Sequence, residues 1–101
     1  MYEIRFTSAA EKYFKKVKEK KLLNEYREAI NKISKNPYSG EIKKGNLAGI
    51  YCYNVYYSSV NYEIAYRIFE QNEKFIVVIL AGTRENFYQQ LKRYIDNHQI
   101  L

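Results

Sequence analysis

Apolar and polar residues alternate at the start of the chain, and the period of the pattern then changes. The alternation over 2–6 predicts a half-buried strand. From Ser8 onward apolar residues recur every three or four positions, which predicts an amphipathic helix. The apolar face of this helix contains Ala10, Tyr13, Phe14 and Val17. Ser8 and Glu11 match the S-x-x-E capping box, so we predict that Ser8 caps the helix at its start.

A second helical period follows and stops before Asn36-Pro37, because the residue before a proline disfavours helical backbone. Its apolar positions are Leu22, Leu23, Tyr26, Ala29, Ile30 and Ile33. The sequence Lys-Glu-Lys-Lys at 18–21 separates the two periods and contains no glycine or proline. A hairpin of two helices and one bent helix over 8–35 are therefore both compatible with the pattern.

The segment 36–49 is rich in glycine, serine, asparagine and proline, which predicts a connection of about a dozen residues. Loops of this length often carry function. Three strands rich in tyrosine, isoleucine and valine follow, at 50–57, 62–69 and 75–81. The third is apolar on both faces, which favours an interior position in the sheet.

A last helix is predicted after Gly82, with Thr83 as its cap. The residues expected to pack it on the sheet are Phe87, Leu91, Tyr94 and Ile95. The predicted order is thus β-α-α-β-β-β-α, an α+β fold in which a helical hairpin packs on a mainly antiparallel, twisted sheet. A chain of 101 residues is the length of one compact domain, so we assign 1–101 to a single domain.

Charge and composition limit the partners, metal sites and cellular locations that we expect for this chain. The formal net charge is +6, which favours an acidic or polyanionic partner, although a basic surface without such a partner is also common. Cys52 has no second cysteine to pair with, and with His98 as the sole histidine the usual zinc ligands are missing. No secretory signal is evident, and the longest apolar stretch, 75–81, is far shorter than the about twenty residues of a membrane helix. We expect a cytoplasmic protein with no membrane partner.

The sequence disfavours a hydrolase with a nucleophilic triad, because it has no G-x-S-x-G turn. It also disfavours a nucleotide-driven enzyme, because it has no glycine-rich phosphate loop. Tyrosines crowd the strands at 50–57 and 62–69 instead, with Arg67 and Arg84 nearby. Aromatic and cationic side chains on a sheet bind bases and phosphates, but tyrosine also favours strands for structural reasons. Glu63 and Arg67 share the less apolar face of one strand, either as an ion pair on a solvated face or as catalytic groups.

Several strings in this order resemble the RelE/ParE superfamily of toxins from bacterial type II toxin-antitoxin systems. The resemblance covers almost the whole chain. It rests on the first strand, the lysine-rich helices, Asn36-Pro37, Gly45-Asn46-Leu47-Ala48-Gly49-Ile50-Tyr51, Tyr62-Glu63-Ile64-Ala65-Tyr66 and, most specifically, Gly82-Thr83-Arg84-Glu85-Asn86-Phe87-Tyr88.

RelE-type members cut messenger RNA in the ribosomal A site without a metal, so the resemblance implies a metal-independent endoribonuclease that acts through the RNA 2′-hydroxyl and needs no cofactor. Arg84 and Tyr88 match the family's C-terminal arginine and tyrosine. Family members often have basic residues where this chain has Cys52, Asn54 and Glu63. The expected catalytic residues are Arg84 for charge, Glu63 as base, Tyr88 for orienting the substrate and Arg67 as a second phosphate contact. The expected RNA-binding residues are Lys43, Lys44, Asn54 and Tyr56.

Two alternatives stay open. ParE-type members share the fold, lack the ribonuclease residues and inhibit DNA gyrase, which the missing strand lysines would fit. A relative without toxicity that only binds an antitoxin is the other. In each case the family implies a cognate antitoxin, encoded nearby, and the lysine-rich helices provide a surface for its acidic groups. For the endonuclease, the further partners are the ribosome and messenger RNA.

Overall fold

A sheet of five strands and three α-helices make up residues 1–98, the part of the chain that the computed structural model describes. In chain order they are β1 (Glu3–Phe6), α1 (Ser8–Lys16), α2 (Lys20–Lys35), β2 (Glu41–Ile42), β3 (Ile50–Tyr57), β4 (Val60–Phe69), β5 (Phe75–Thr83) and α3 (Phe87–Asn97). The predicted α+β class is confirmed. The predicted order is also found, with β2 added between the second helix and the meander.

The strands lie in the order β1-β5-β4-β3-β2, with β1 parallel to β5 and every other pair antiparallel. The interior position predicted for the third meander strand is confirmed, because β5 has β1 on one side and β4 on the other. Helices cover both faces of the sheet. Tyr26 and Ile33 of α2 belong to the core on one face, and Phe87 and Leu91 of α3 to the core on the other.

The helical hairpin is confirmed and the single bent helix is not found. The backbone of Val17 is extended, with φ −73° and ψ 110°, so α1 ends there and α2 begins three residues later. Tyr13 and Phe14 of α1 pack edge-on against Tyr26 of α2, at centroid distances of 5.8 and 5.2 Å. The lysines around this turn are all exposed, and we refer to them as the lysine surface: Lys12, Lys15, Lys16, Lys18, Lys20 and Lys21.

Both predicted helix caps are wrong, for local reasons. The first helix does begin at Ser8, but Thr7 is its cap: the Thr7 hydroxyl accepts from the Ala10 amide at 3.1 Å and donates to the Ile79 carbonyl at 2.6 Å. Thr7 thus joins the helix to β5, which Ser8 does not. Thr83 is the last residue of β5, and α3 begins after Asn86, whose φ of 61° turns the chain into the helix.

The predicted connection 36–49 contains more structure than its composition indicates. Short 3-10 turns at Pro37–Ser39 and Gly45–Leu47 flank β2, which pairs antiparallel with β3. Two residues are too few to produce a recognisable alternation, so the sequence pattern gave no sign of β2. Among residues 1–98, no helix is long and apolar enough to cross a membrane.

Candidate active site

Polar side chains gather on the face of the sheet that α3 covers. Asn54 of β3, Glu63 of β4 and Gly82 of β5 lie side by side across the sheet. Arg84 follows Gly82 by two residues, so it leaves the end of β5 next to the same row. Gly82 has no side chain, and a Cβ at this position would lie 3.9 Å from the Phe87 ring of α3.

Glu63 is almost fully buried and forms the centre of this group. Its Oε2 accepts hydrogen bonds from Arg84 Nε and from Asn54 Nδ2, each at 3.1 Å, and forms an ion pair with Arg84 Nη2 at 3.0 Å. The residue is 2% exposed, so the alternative that placed Glu63 on a solvated face is wrong. Alternation along a strand identifies which residues share a face, but it does not report that a helix will cover that face.

Arg84 is held in place by two elements and still reaches solvent. Its backbone amide donates to the Asn61 carbonyl at 2.8 Å, which ties the segment after β5 to the start of β4. Glu63 fixes one edge of the guanidinium, while 55% of the side chain is exposed. An open cleft of about 680 Å³ lies beside it, between the β3–β4 turn and the start of α3. A guanidinium held in this way can bind a phosphate with its free edge.

Lys43 reaches the same face from the end of β2. Its backbone amide donates to the Ile50 carbonyl at 2.8 Å, which continues the pairing with β3. Its Nζ lies 4.7 Å from the ring centroid of Tyr88 on α3, and only 18% of the side chain is exposed. Partial burial opposes the charge, but interactions with Glu41 and Tyr88 outweigh it and raise the Lys43 pKa above its ordinary value. Lys43 therefore stays protonated at neutral pH.

Glu41 is the ion-pair partner of Lys43, and sequence reasoning missed it. It lies opposite Cys52, whose buried side chain packs against α3, so Glu41 belongs to this face too. The hydrogen bond and charge of Lys43, with the nearby charge of Arg84, lower the Glu41 pKa. The missing signal was β2 itself, because only strand pairing reveals which face Glu41 occupies.

Cys52 lies in the middle of this group but carries no reactive thiolate. Burial is the main cause that raises the pKa of its thiol to about 12, against the opposing effect of Lys43. The thiol is therefore protonated at neutral pH and packs as an apolar group beside Phe87 and Leu91.

The other predicted site residues do not join this group. Arg67 is four residues from Glu63 along β4, about 13 Å at the usual strand rise, and its guanidinium lies 5.5 Å from the Phe69 ring centroid. Lys44 is exposed at the start of a 3-10 turn. Tyr56 is 63% exposed near the far end of β3. The predicted set thus divides into Asn54, Glu63, Arg84, Lys43 and Tyr88, which lie together, and three residues outside the group.

A buried tyrosine anchors the segment that carries Glu41 and Lys43. The Tyr66 hydroxyl donates to the Pro37 carbonyl at 2.7 Å and accepts from the Gly40 amide at 3.0 Å. The approach is so close that a Cβ on Gly40 would lie 2.5 Å from that hydroxyl oxygen. The position of β2, and hence of Glu41 and Lys43, therefore depends on Tyr66.

The model of one protein family, described as a ParE-like toxin of type II bacterial toxin-antitoxin systems, matches residues 4–92. The chain belongs to this family. The resemblance to the RelE/ParE superfamily is therefore confirmed. No curated protein matches the sequence.

Chains of two solved toxin-antitoxin complexes share the fold of this ParE-like toxin. A chain of the intact E. coli RelBE toxin-antitoxin complex matches with a TM-score of 0.66 and 17% identity, over 81% of this chain and 95% of that one. A chain of the Mycobacterium tuberculosis RelBE2 toxin-antitoxin complex matches with a TM-score of 0.63 and 25% identity, over 82% and 98%. The toxin described here differs from the pattern expected for RelE-type nucleases, because β3 contains no lysine or arginine.

Proposed function

We propose that this toxin cleaves messenger RNA on the ribosome, without a metal, by activating the RNA's own 2′-hydroxyl. The observation that carries the proposal is the fixed guanidinium of Arg84. The buried Glu63 carboxylate pairs with it, while more than half of the Arg84 side chain stays exposed beside an open cleft. This is the arrangement that a phosphate-binding arginine requires.

The reaction needs positive charge where the phosphate gains negative charge. Arg84 supplies one cation and Lys43 a second, and both lie close enough to Glu41 to lower its pKa. Lys43 comes from the end of β2 and takes the place of the cations that β3 lacks. Charges fixed in a partly dry site stabilise a transition state more strongly than the same charges in water.

Glu63 is a positioning residue in this proposal. Its carboxylate is 2% exposed and accepts hydrogen bonds from Arg84 and Asn54, so it has no open path to a substrate hydroxyl. We therefore withdraw the role of base that the family resemblance implied for it. Glu63 instead orients the guanidinium.

Tyr88 offers an aromatic ring at the edge of the group. Lys43 lies over that ring, which is the geometry of a cation–π contact. We assign Tyr88 to orienting the substrate, with Lys43 fixing the ring. The small number of groups is compatible with catalysis, because ribosomal RNA holds the messenger in place and positioning alone contributes several kcal/mol, on the order of 7 or more in favourable cases.

Inhibition of DNA gyrase is the second candidate function. The matching family is described as ParE-like, and β3 has no lysine or arginine. For either target we propose a cytoplasmic toxin with a cognate antitoxin, since the two structural neighbours described above come from toxin-antitoxin complexes. The lysine surface would attract the acidic residues of that antitoxin.

Two assays with the purified toxin separate the candidates. In a translation extract, messenger 5′ ends are mapped after toxin addition, and new ends within codons are expected. In parallel, gyrase supercoiling is measured and is expected to be unaffected. Intact messengers together with inhibited supercoiling would replace the nuclease by the gyrase inhibitor. Growth arrest on expression, relieved by a small protein encoded beside the toxin, is expected in both cases.

A further inference from the structure

The proposed cleavage needs a group that takes the proton of the 2′-hydroxyl, and burial removes Glu63 from that role. We propose that Glu41 is this group, the general base of the reaction. The inference rests on the proposed nuclease function and adds to it a catalytic residue that neither the sequence motifs nor the resemblance assigns.

Accessibility distinguishes Glu41 from Glu63. The side chain of Glu41 is 77% exposed, against 3% for Glu63. Glu41 also lies on the correct face, because it is paired across the sheet with Cys52, two residues before Asn54 on β3. A substrate phosphate bound by Arg84 and Lys43 would therefore have the Glu41 carboxylate beside it.

The charges around Glu41 favour the ionised carboxylate. Lys43 is its ion-pair partner, and Lys43 and Arg84 both lower its pKa, so the group is ionised at neutral pH but holds a proton less strongly than a free carboxylate. A substrate phosphate would compete with Glu41 for Lys43. As Lys43 turns toward the phosphate, the carboxylate loses a hydrogen bond and becomes the stronger base.

The proposed step balances without a further reactant. The 2′-hydroxyl gives its proton to Glu41, and its oxygen forms a bond to the adjacent phosphorus. The bond from phosphorus to the 5′-oxygen breaks, and the departing oxygen takes a proton from water. The products are a 2′,3′-cyclic phosphate and a 5′-hydroxyl, and Glu41 returns its proton to solvent.

Glu85 is the competing carboxylate, since it follows Arg84 and lines the open cleft beside that arginine. Glu41 is favoured because its ion pair fixes it beside Lys43, the second cation, which in turn contacts Tyr88. The pairing of β2 with β3 also holds its backbone in place, whereas Glu85 lies in the turn before α3.

The test compares Glu41→Gln, Glu41→Asp, Glu85→Gln and a matched control, Glu73→Gln, which removes an exposed carboxylate paired with Arg5 at 3.6 Å. Cleavage rates are measured in the translation extract, and ribosome association by co-sedimentation. Because a general base contributes about a hundredfold or more, Glu41→Gln should lose at least that factor and still sediment with ribosomes. Glu41→Asp should recover part of the rate, and Glu73→Gln should match the unmodified toxin.

Several results would overturn the assignment. Normal or faster cleavage by Glu41→Gln would show that Glu41 only screens Lys43. Loss of ribosome association would give Glu41 a binding role instead. Loss of cleavage in Glu85→Gln alone would move the base to Glu85. Failure of the unmodified toxin to cut messengers contradicts the proposed function itself, so the two failures are distinguishable.

Discussion

Two nitrogens of Arg84 contact a single oxygen of Glu63: Nε donates a hydrogen bond at 3.1 Å and Nη2 forms an ion pair at 3.0 Å, and the carboxylate is almost completely buried. The pair joins the end of β5 to the middle of β4. Removing either partner leaves the other in an unfavourable position, because a buried carboxylate needs its hydrogen bonds and an unheld arginine loses its orientation. Stability and activity are therefore linked at this pair.

The effect of Arg84→Ala on stability can be separated from its effect on activity. Arg84→Ala leaves the Glu63 carboxylate buried with Asn54 as its remaining partner, and we expect the free energy of unfolding to fall by about 1–3 kcal/mol. Adding Glu63→Gln removes the buried charge and should restore most of this loss, as measured by urea unfolding. Cleavage should stay low in the double variant. A double variant no more stable than Arg84→Ala would contradict the buried-charge explanation.

Lys43 is expected to matter for the rate of cleavage more than for folding. Lys43→Gln keeps the length of the side chain approximately but removes the second cation, so we expect cleavage to fall by about tenfold or more. Lys74→Gln, at the turn after β4, is the matched loss of one positive charge. Equal effects of the two substitutions on the rate would mean that net charge matters and that the location of Lys43 does not.

The Tyr66 anchor connects the core to the site. Tyr66→Phe leaves the Pro37 carbonyl and the Gly40 amide without their partner, which should cost about 1–3 kcal/mol of unfolding free energy. Because the same segment carries Glu41 and Lys43, the cleavage rate should fall as well. Tyr53→Phe is the control on β3, and its stability and rate should be close to those of the unmodified toxin. An unchanged rate in a destabilised Tyr66→Phe toxin would uncouple β2 from the site.

Much of the fold could be predicted from periodicity and composition, since each helix buries one continuous face and the longer strands are rich in apolar and aromatic residues. The errors occur where contacts distant in sequence decide the outcome. Thr7 caps α1 because its hydroxyl also bonds to Ile79. The two residues of β2 become a strand only because β3 lies beside them.

In the candidate site, too, local motifs could be identified from the sequence and contacts distant in sequence could not. Arg84 and Tyr88 could be identified from a local string, whereas the pairing of Arg84 with Glu63 spans 21 positions and has no local signature. Arg67 shares a face with Glu63 as alternation indicates, yet four residues of strand keep the two apart. Glu41 escaped notice because its neighbours in sequence form no regular pattern, and only the pairing of β2 with β3 places it on the same face as Asn54 and Glu63.

Antitoxin binding should depend on salt. The residues of the lysine surface are exposed, and attraction between exposed charges is screened over about 8 Å at physiological ionic strength. We therefore expect the affinity of the toxin for its antitoxin to fall as salt rises, and to fall less in Lys12→Gln/Lys16→Gln. Titration calorimetry at several salt concentrations measures both. The same affinity at low and high salt would show that apolar contacts account for the binding.

The most direct test of the central claim is the cleavage rate of Arg84 variants in the translation extract. The cleavage rate of Arg84→Ala should be lower than that of the unmodified toxin by about a hundredfold or more, because the variant loses the fixed charge at the phosphate. Arg84→Lys should recover little, since a lysine cannot bind Glu63 and a phosphate with one planar group. Circular dichroism confirms folding in each case. Full cleavage by a well-folded Arg84→Ala toxin would contradict the role of Arg84 and with it the case for a nuclease.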